Sequence, residues 1–327
     1  MRAVLCRDWG EPESLSLEEI ERPEPAAGEL RIAVAAAGIN FADSLMIAGK
    51  YQEKPPFPFT PGLEVAGRVE ALGPGVTRLH EGQRVMAAVD RGGYAEAVIA
   101  READVFALPE TMDFATAAGF IITYGTAHGA LVWRAGLQPG ERLLVHGAAG
   151  GVGLAAVEVG KALGAEVIAT AGSPEKLAVA ATHGADHLIN AREEGLRDKI
   201  KALTEGHGVD AVFDPVGGDL FDASLRASAW SGRLVVIGFA AGKVSQIPAN
   251  YLLVKNLAAL GFYWGSYRKQ APQHLLPQFE ELLAWFSAGK LKPLVSQRFD
   301  LAEAGSALRQ LLERRSTGKL VLTTGLA

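Results

Sequence analysis

Thirteen residues, Arg142 to Leu154 (RLLVHGAAGGVGL), carry the densest chemical information in this chain. An apolar run, Leu143–His146, enters a glycine-rich turn, and the turn opens a helix on which Val152, Ala155, Ala156, Val159 and Leu163 recur at helical spacing. Small residues let a backbone come close to a pyrophosphate, and a helix N-terminus offers unpaired N–H groups and the positive end of a dipole. Gly150, Gly151 and Val152 are therefore candidate cofactor contacts. Ala148 stands where the first glycine of G-x-G-x-x-G belongs, while Gly150 and Gly153 match the second and third. A purely structural strand–turn–helix is the plainer alternative. Gly164 stops the helix, and a second apolar run, Val167–Thr170, completes a βαβ pattern.

The residues after that second run select the coenzyme. NAD enzymes place an acid about 20 residues beyond the fingerprint to hold the ribose 2′-hydroxyl. Here the run ends in Ala171-Gly172-Ser173-Pro174-Glu175-Lys176, with no acid where the ribose would sit. Gly172 leaves room for a 2′-phosphate, Ser173 can donate to it, and Lys176 supplies a positive charge. Arg192, beyond the next strand candidate, adds a second cation. This pattern favours NADP over NAD. A solvated helix charge is the competing reading for Lys176.

These residues need a scaffold, and the pattern along the chain supplies one. With 327 residues, 49% apolar and 21% charged, the chain is long enough for two cores. A net charge of −5 without a Lys/Arg block argues against a nucleic-acid partner. One cysteine, Cys6, excludes an internal disulfide framework and any multi-cysteine zinc site. No apolar run reaches membrane-spanning length, and the N-terminus has no signal-peptide pattern, so a cytoplasmic protein without membrane partners is expected. Up to about Pro109, short β-like runs alternate with Gly/Pro turns: Leu30–Val34, Val65–Leu72, Arg84–Val89 and Tyr94–Ile99. That spacing suggests a small barrel or sandwich. Thr111 or Asp113 can cap a helix through Phe114–Gly119. From Arg142 onward, strand candidates Leu143–His146, Val167–Thr170, His187–Ile189, Ala211–Asp214, Arg233–Ile237 and Leu257–Phe262 alternate mostly with helical segments, the rhythm of a doubly wound parallel sheet. The tail turns helical over Gln273–Ala288, becomes extended at Val295–Phe299, and closes on a strand at Lys319–Thr323 that can fold back onto the first domain.

Several motifs in order carry a family resemblance: Gly38-Ile-Asn-Phe-Ala-Asp43, Pro61-Gly-Leu-Glu-Val-Ala-Gly67, Gly73-Pro-Gly-Val76, Gly82-Gln-Arg-Val85, Gly147–Gly153, Asp214-Pro-Val-Gly217 and Gly318-Lys319. Over nearly its whole length the chain resembles the zinc-independent branch of the medium-chain dehydrogenase/reductase superfamily, and within it the NADPH:quinone oxidoreductases of the zeta-crystallin type. The resemblance implies an α/β fold: a GroES-like β-barrel catalytic domain from residues 1–122 and 265–327, around a Rossmann doubly wound parallel sheet over 123–264. It also implies NADPH in an interdomain cleft, a small-molecule electron acceptor (quinone or enone), and a homodimer joined through the edge strand near Leu257–Phe262.

Zinc-dependent relatives carry a metal-binding cysteine where this chain has Asn40, and Gly-His-Glu where it has Gly62-Leu63-Glu64. Two ligands are thus missing, and no metal is expected. The His183/His187 pair lacks a third ligand nearby and reads as an ordinary turn into a strand. Without a Lewis acid to stabilise an alkoxide, reduction of an activated acceptor is favoured over alcohol oxidation.

By the resemblance, Asn40 lies near the nicotinamide and the acceptor, where its amide can stabilise an oxyanion; a turn asparagine is the alternative. Asp43 orients that segment or caps a helix. Tyr51 lines the substrate cleft as a proton or hydrogen-bond donor, or is a packed aromatic. Leu45 replaces a second family tyrosine. Thr123 contacts the nicotinamide end or bonds a preceding helix carbonyl. Val216 and Gly217 lie on the adenosine side, Gly238 and Phe239 follow the fifth strand, and Phe262 to Trp264 follow the sixth, near the carboxamide. Lys319 matches a C-terminal family lysine or is a surface charge. The leading expectation is NADPH-dependent quinone reduction by hydride transfer without zinc. An enoyl-thioester or enone (2-alkenal) reductase on the same fold is the nearest rival, with Arg268 and Lys269 able to meet a coenzyme A phosphate. A non-catalytic NADPH-binding or structural protein is the reading from another class.

Overall fold

The computed structural model describes residues 1–326. The chain forms two compact units, one from Met1–Ile122, Pro272–Phe279 and Pro293–Ala327, the other from Thr123–Ala271 and Glu280–Lys292.

The first unit begins with a ribbon of β1 (Arg2–Leu5) and β2 (Ser16–Glu19). It continues through β3 (Glu29–Gly38), α1 (Phe41–Ile47), β4 (Glu64–Leu72), β5 (Arg84–Ala88), β6 (Ala97–Arg101), β7 (Val105–Ala107) and α2 (Phe114–Ala118). Strand β3 alternates half-buried and buried residues up to Val34 and is buried at every position after it. It is the hub: β4 and β6 both pair with it, antiparallel. Gly67 on β4 is required by the tightness of that pairing, since a Cβ there would lie 1.9 Å from the Ala33 carbonyl oxygen. Asp113 caps α2, its Oδ1 accepting from the Thr116 N–H at 2.6 Å. The strand expected at Tyr94–Ile99 starts later, at Ala97. The Tyr94 N–H instead bonds to the Pro61 carbonyl and its carbonyl accepts from Val4, which ties the segment into a turn.

Helix α3 (Ile121–His128) leads into the second unit. It runs on as a widened turn, Gly129–Arg134. Then come β8 (Arg142–Val145), α4 (Gly151–Ala162), β9 (Glu166–Ala171), α5 (Pro174–Thr182), β10 (His187–Asn190), α6 (Leu196–Leu203), β11 (Val209–Asp214), α7 (Asp219–Ala227), β12 (Ser228–Val236), α8 (Ala249–Lys255), β13 (Ala258–Gly261) and α9 (Trp264–Gln270). All six strands are parallel, in the order β10-β9-β8-β11-β12-β13. This is the doubly wound arrangement, with its strand order reversing between β8 and β11. The strand expected at Arg233–Ile237 begins earlier, at Ser228, because Ser231 takes a left-handed φ of 64° that lets an irregular lead-in pair with β11.

After α10 (Leu275–Ser287), the chain adds β14 (Val295–Asp300), α11 (Ala304–Leu312) and β15 (Lys319–Thr323). Strand β15 lies between β14 and β3, so the chain end completes the first unit's sheet, β14-β15-β3-β4-β5-β7. The family resemblance implies a return to the first unit at 264/265. In the structure residues 265–271 and 280–292 stay with the parallel sheet, held by bonds such as His128 Nε2 to Glu281 (2.8 Å) and the Lys292 N–H to Glu158 (2.9 Å).

Candidate functional site

In the second unit the fingerprint residues follow the carboxyl end of β8, at the switch in strand order where such sheets bind ligands. Gly147 takes a left-handed φ of 60° and turns the chain. Gly150 is the N-cap of α4 and has no side chain to occupy the N–H groups of the first turn, those of Gly151 and Val152 among them. A Cβ on Gly153 would lie 2.2 Å from the Gly147 carbonyl oxygen, so turn and helix can close only around glycine. Ala148, the departure from the fingerprint, is fully buried and donates its N–H to the Thr170 carbonyl at 3.0 Å, a position that tolerates a methyl.

Below the turn lies His146, which sequence reasoning quoted without a role. It is fully buried, its Nδ1 2.9 Å from Thr170 Oγ1 and its Nε2 2.6 Å from Ser224 Oγ. Ser224 gives its one hydroxyl proton to the Leu220 carbonyl, so His146 must donate from Nε2 and accept at Nδ1. Burial pushes the imidazole below its ordinary range, against the pull of the Asp214 carboxylate, and keeps it neutral. Across the switch point the Asp214 Oδ1 accepts from the N–H groups of Val216 (2.8 Å) and Gly217 (2.9 Å). A Cβ on Gly147 would lie 3.3 Å from Val216, so the two turns are neighbours. Phe239 is 40% exposed with its ring beside Gly217, and Gly238 lies two residues past the end of β12.

The residues expected at the 2′-phosphate follow β9 and β10. Ser173 caps α5, its Oγ accepting from the Lys176 N–H at 3.4 Å. It also hydrogen-bonds the Glu175 carboxylate and so lowers that group's pKa. Arg192 is exposed, with its Nε 3.4 Å from where a Gly172 Cβ would be. Arg192 and Gly172 thus lie side by side past the ends of β9 and β10, with Ser173 and Lys176 in the first turn of the helix that follows. A glycine cradle, an open helix N-terminus and two cations are the donor set that a phosphorylated dinucleotide requires. Phe262 and Trp264 are placed differently. Both are buried, and the Phe262 ring packs with Trp133 and Tyr267, its centroid 5.3 Å from that of Tyr267. Thr123 is buried in α3. His183 and His187 bond different carboxylates, Glu158 and Glu166.

The first unit holds a separate polar cluster. Asn40 is the N-cap of α1, and its backbone N–H donates to Asp43 Oδ2 at 2.7 Å. Asp43 Oδ2 also accepts from the Tyr94 hydroxyl at 2.8 Å. Asp43 therefore fixes the helix start from beneath and is fully buried. The Asn40 side chain bonds Glu64 Oε1 through Nδ2 (2.9 Å), and its Oδ1 accepts from Lys319 Nζ (2.9 Å). Lys319 also donates to Glu64 Oε1 (2.6 Å) and the Ile39 carbonyl (2.8 Å). Its three ammonium protons are thus committed within the unit and the residue is buried, which corrects the surface-charge reading and leaves no proton for a cofactor. The Tyr51 ring packs against the first unit's core. Glu64 and Tyr94 are the members that sequence reasoning missed. A charged residue heading the apolar run Val65–Leu72 was the available signal for Glu64; nothing local marked Tyr94.

Alcohol dehydrogenase GroES-like domain is the family model matched by residues 26–110, and zinc-binding dehydrogenase by 151–284. The chain is 42% identical over 326 residues to quinone oxidoreductase-like protein 2 homolog of Nematostella vectensis, covering 99% of this chain and 89% of that one. The chain belongs to the zinc-independent quinone oxidoreductase branch of the medium-chain dehydrogenases/reductases. It is an enzyme of that superfamily, which removes the purely structural reading. Within the branch, the Escherichia coli quinone oxidoreductase solved with NADPH superposes at a TM-score of 0.93 (31% identity, 99% of this chain and 100% of that one). The CurK enoyl reductase superposes at 0.87 (31% identity, 98% of each). Zinc, named in one family description, does not fit this member. Asn40 and Leu63 stand at two ligand positions, a leucine has no donor atom, and Glu64 already holds an ammonium.

Burial raises the Asp43 carboxyl to about 7, against the opposing bonds from Asn40 and Tyr94 and the charge of Lys319. Its value in the unfolded chain is 3.8, so the folded state holds this proton more tightly. The resulting stabilisation is complete below about pH 4 and is lost as pH rises to about 7. Asp43→Asn keeps an oxygen for both donors and removes the titration. Urea midpoints measured at intervals across that window are expected to show a flatter pH profile for Asp43→Asn than for the parent.

Proposed function

We propose that this enzyme reduces quinone-type acceptors with NADPH, without a metal. The single observation that carries the coenzyme half is the Arg192 side chain beside Gly172 at the strand end where Ser173 and Lys176 open α5, with no acid at the ribose position. The NADPH in the superposed Escherichia coli enzyme supports it. The first-turn N–H groups at Gly151 and Val152, behind the open cap of Gly150, hold the pyrophosphate. Lys176 and Arg192 hold the 2′-phosphate, and Ser173 adds a hydroxyl. Val216, Gly217, Gly238 and Phe239 border the nucleotide at the switch point, and Thr123 serves the nicotinamide end. When bound, the reduced nicotinamide supplies a hydride.

The protein's own part is to stabilise the charge that a reduced acceptor develops on oxygen. The Asn40 amide is the donor for that oxygen, and Tyr51 borders the acceptor. Asp43, buried under the helix start, acts by holding Asn40. Phe262 and Trp264, which follow β13, serve the carboxamide end. A second reading, reduction of an enone or enoyl thioester at the same site, is favoured by the likeness to the CurK enoyl reductase. NADPH consumption with 1,4-benzoquinone against a short enoyl-CoA separates the two. Turnover of the thioester alone would replace the quinone reading.

Removal of either cation, in Lys176→Ala or Arg192→Ala, is expected to raise KM for NADPH about tenfold, the worth of one partly exposed charge-assisted contact, and to leave KM for NADH unchanged. Steady-state kinetics with both coenzymes reads this directly. Equal losses with the two would remove the 2′-phosphate from the account.

We also infer that two copies pair through β13, the edge strand of the parallel sheet. An exposed apolar surface on neighbouring elements supports this: Leu253 and Val254 on α8 are 78% and 76% exposed, and Trp230 on β12 is 72% exposed. Sedimentation of the parent is expected to give a dimer, and Leu253→Glu with Val254→Glu a monomer.

A further inference from the structure

The partners of Asn40 dictate which way its amide faces. An ammonium only donates and a carboxylate only accepts. Lys319 therefore fixes the carbonyl end of the Asn40 amide, and Glu64 fixes the NH₂ end. A flipped amide would set donor against donor and acceptor against acceptor. Glu64 is itself immobile: Oε1 binds Lys319 and Asn40, and Oε2 accepts from the Ile122 N–H at 3.0 Å. Gly38 makes room for it, since a Cβ there would lie 2.3 Å from Glu64 Oε1. The backbone of Asn40 is pinned from the other side by Asp43.

One Asn40 N–H is used by Glu64 at 2.9 Å. The other has only the Gly38 carbonyl, at 3.5 Å, beyond ordinary hydrogen-bond range. Glu64 is fully buried and Lys319 is 6% exposed, while Asn40 keeps 9%. The accessibility that remains in the cluster is thus shared by Asn40, which carries the uncommitted donor, and Lys319, whose protons are all used, so the uncommitted donor of the pair belongs to Asn40.

We propose that Glu64 and Lys319 are positioning residues, and that their ion pair orients the Asn40 amide so that an N–H, never the carbonyl, is offered to the acceptor oxygen. This rests on the reading of Asn40 as the acceptor's donor. It adds that the donor's polarity is imposed by a pair that touches neither acceptor nor coenzyme. The same pair explains how an asparagine can act as a dependable donor. A free amide presents oxygen or nitrogen with similar ease, and only the nitrogen edge stabilises developing negative charge.

The test uses the full chain, with NADPH and 1,4-benzoquinone as the probe pair, and a double-variant cycle. Glu64→Gln removes, at constant volume, the charge that pairs with Lys319 and the obligate acceptor that holds the NH₂ end of the amide. It is expected to lower kcat at least tenfold with KM for NADPH within twofold. In an Asn40→Ala background the same change is expected to have no further effect on kcat. Lys319→Met breaks the pair from the other side and serves should Glu64→Gln fail to fold. A readout independent of turnover comes from the side-chain amide resonances in ¹⁵N-asparagine-labelled protein. The pair of signals erased by Asn40→Ala is expected to shift on Glu64→Gln. A kcat loss on Glu64→Gln that persists undiminished in the Asn40→Ala background overturns the proposal and leaves quinone reduction intact. So do amide signals that Glu64→Gln and Lys319→Met leave in place. If the parent turns over no quinone, the functional reading fails, and the resonances alone then decide whether the pair orients Asn40.

Discussion

A single buried ion pair, Lys319 with Glu64, is the constraint on which the first unit depends. Its members are 255 residues apart in sequence, one at the start of β15 and the other at the start of β4. Burying two charges is unfavourable unless each finds its full set of partners. Here each does: three acceptors surround the ammonium, and both carboxylate oxygens are bonded. The requirement couples distant parts of the chain. Strand β15 must seat between β14 and β3 for Lys319 to reach Ile39 and Asn40, and α1 must start at Asn40 for the amide to bridge the pair. Closing the sheet and building the polar cluster are thus coupled.

The second unit is organised by a different constraint, close approach of backbone to backbone. Gly147 and Gly153 meet across the turn with no space for a side chain, and His146 below fills its hydrogen bonds with Thr170 and Ser224. The turn thereby rests on a fully bonded neutral base, not on a void. The two units solve opposite problems. One buries charge by pairing it, and the other leaves backbone donors unpaired at α4 so that a ligand can take them.

What could be read from sequence follows from this contrast. A turn that demands glycine must write glycine, so the fingerprint and the βαβ rhythm were visible directly. The parallel strands were located to within a residue or two, apart from the irregular start of β12 at Ser228. Local pairings were visible too, as with Asp113 capping α2. The polar cluster was only half visible. Asn40, Asp43 and Lys319 were named by motif resemblance, but composition and spacing do not encode a contact between Lys319 and Glu64. Lys319 on its own looks like any lysine before a strand. Tyr94 was hidden for the same reason, because its significance is a hydroxyl bonded to Asp43, 51 residues earlier. Phe262 and Trp264 were named by resemblance too, and here packing is the visible part. Both are buried, and Phe262 sits in an aromatic cluster with Trp133 and Tyr267 that their place after a strand end does not announce.

The glycine cradle and the cations beyond β9 differ in how freely they can change. Gly153 is locked by a carbonyl 2.2 Å from any added carbon, so almost every mutation there is lethal to the turn. Arg192, by contrast, lies exposed, and neither it nor the Lys176 side chain belongs to either unit's apolar core. Descent with modification can therefore rewrite the rim of this strand end one surface codon at a time while the turn beneath it stays frozen.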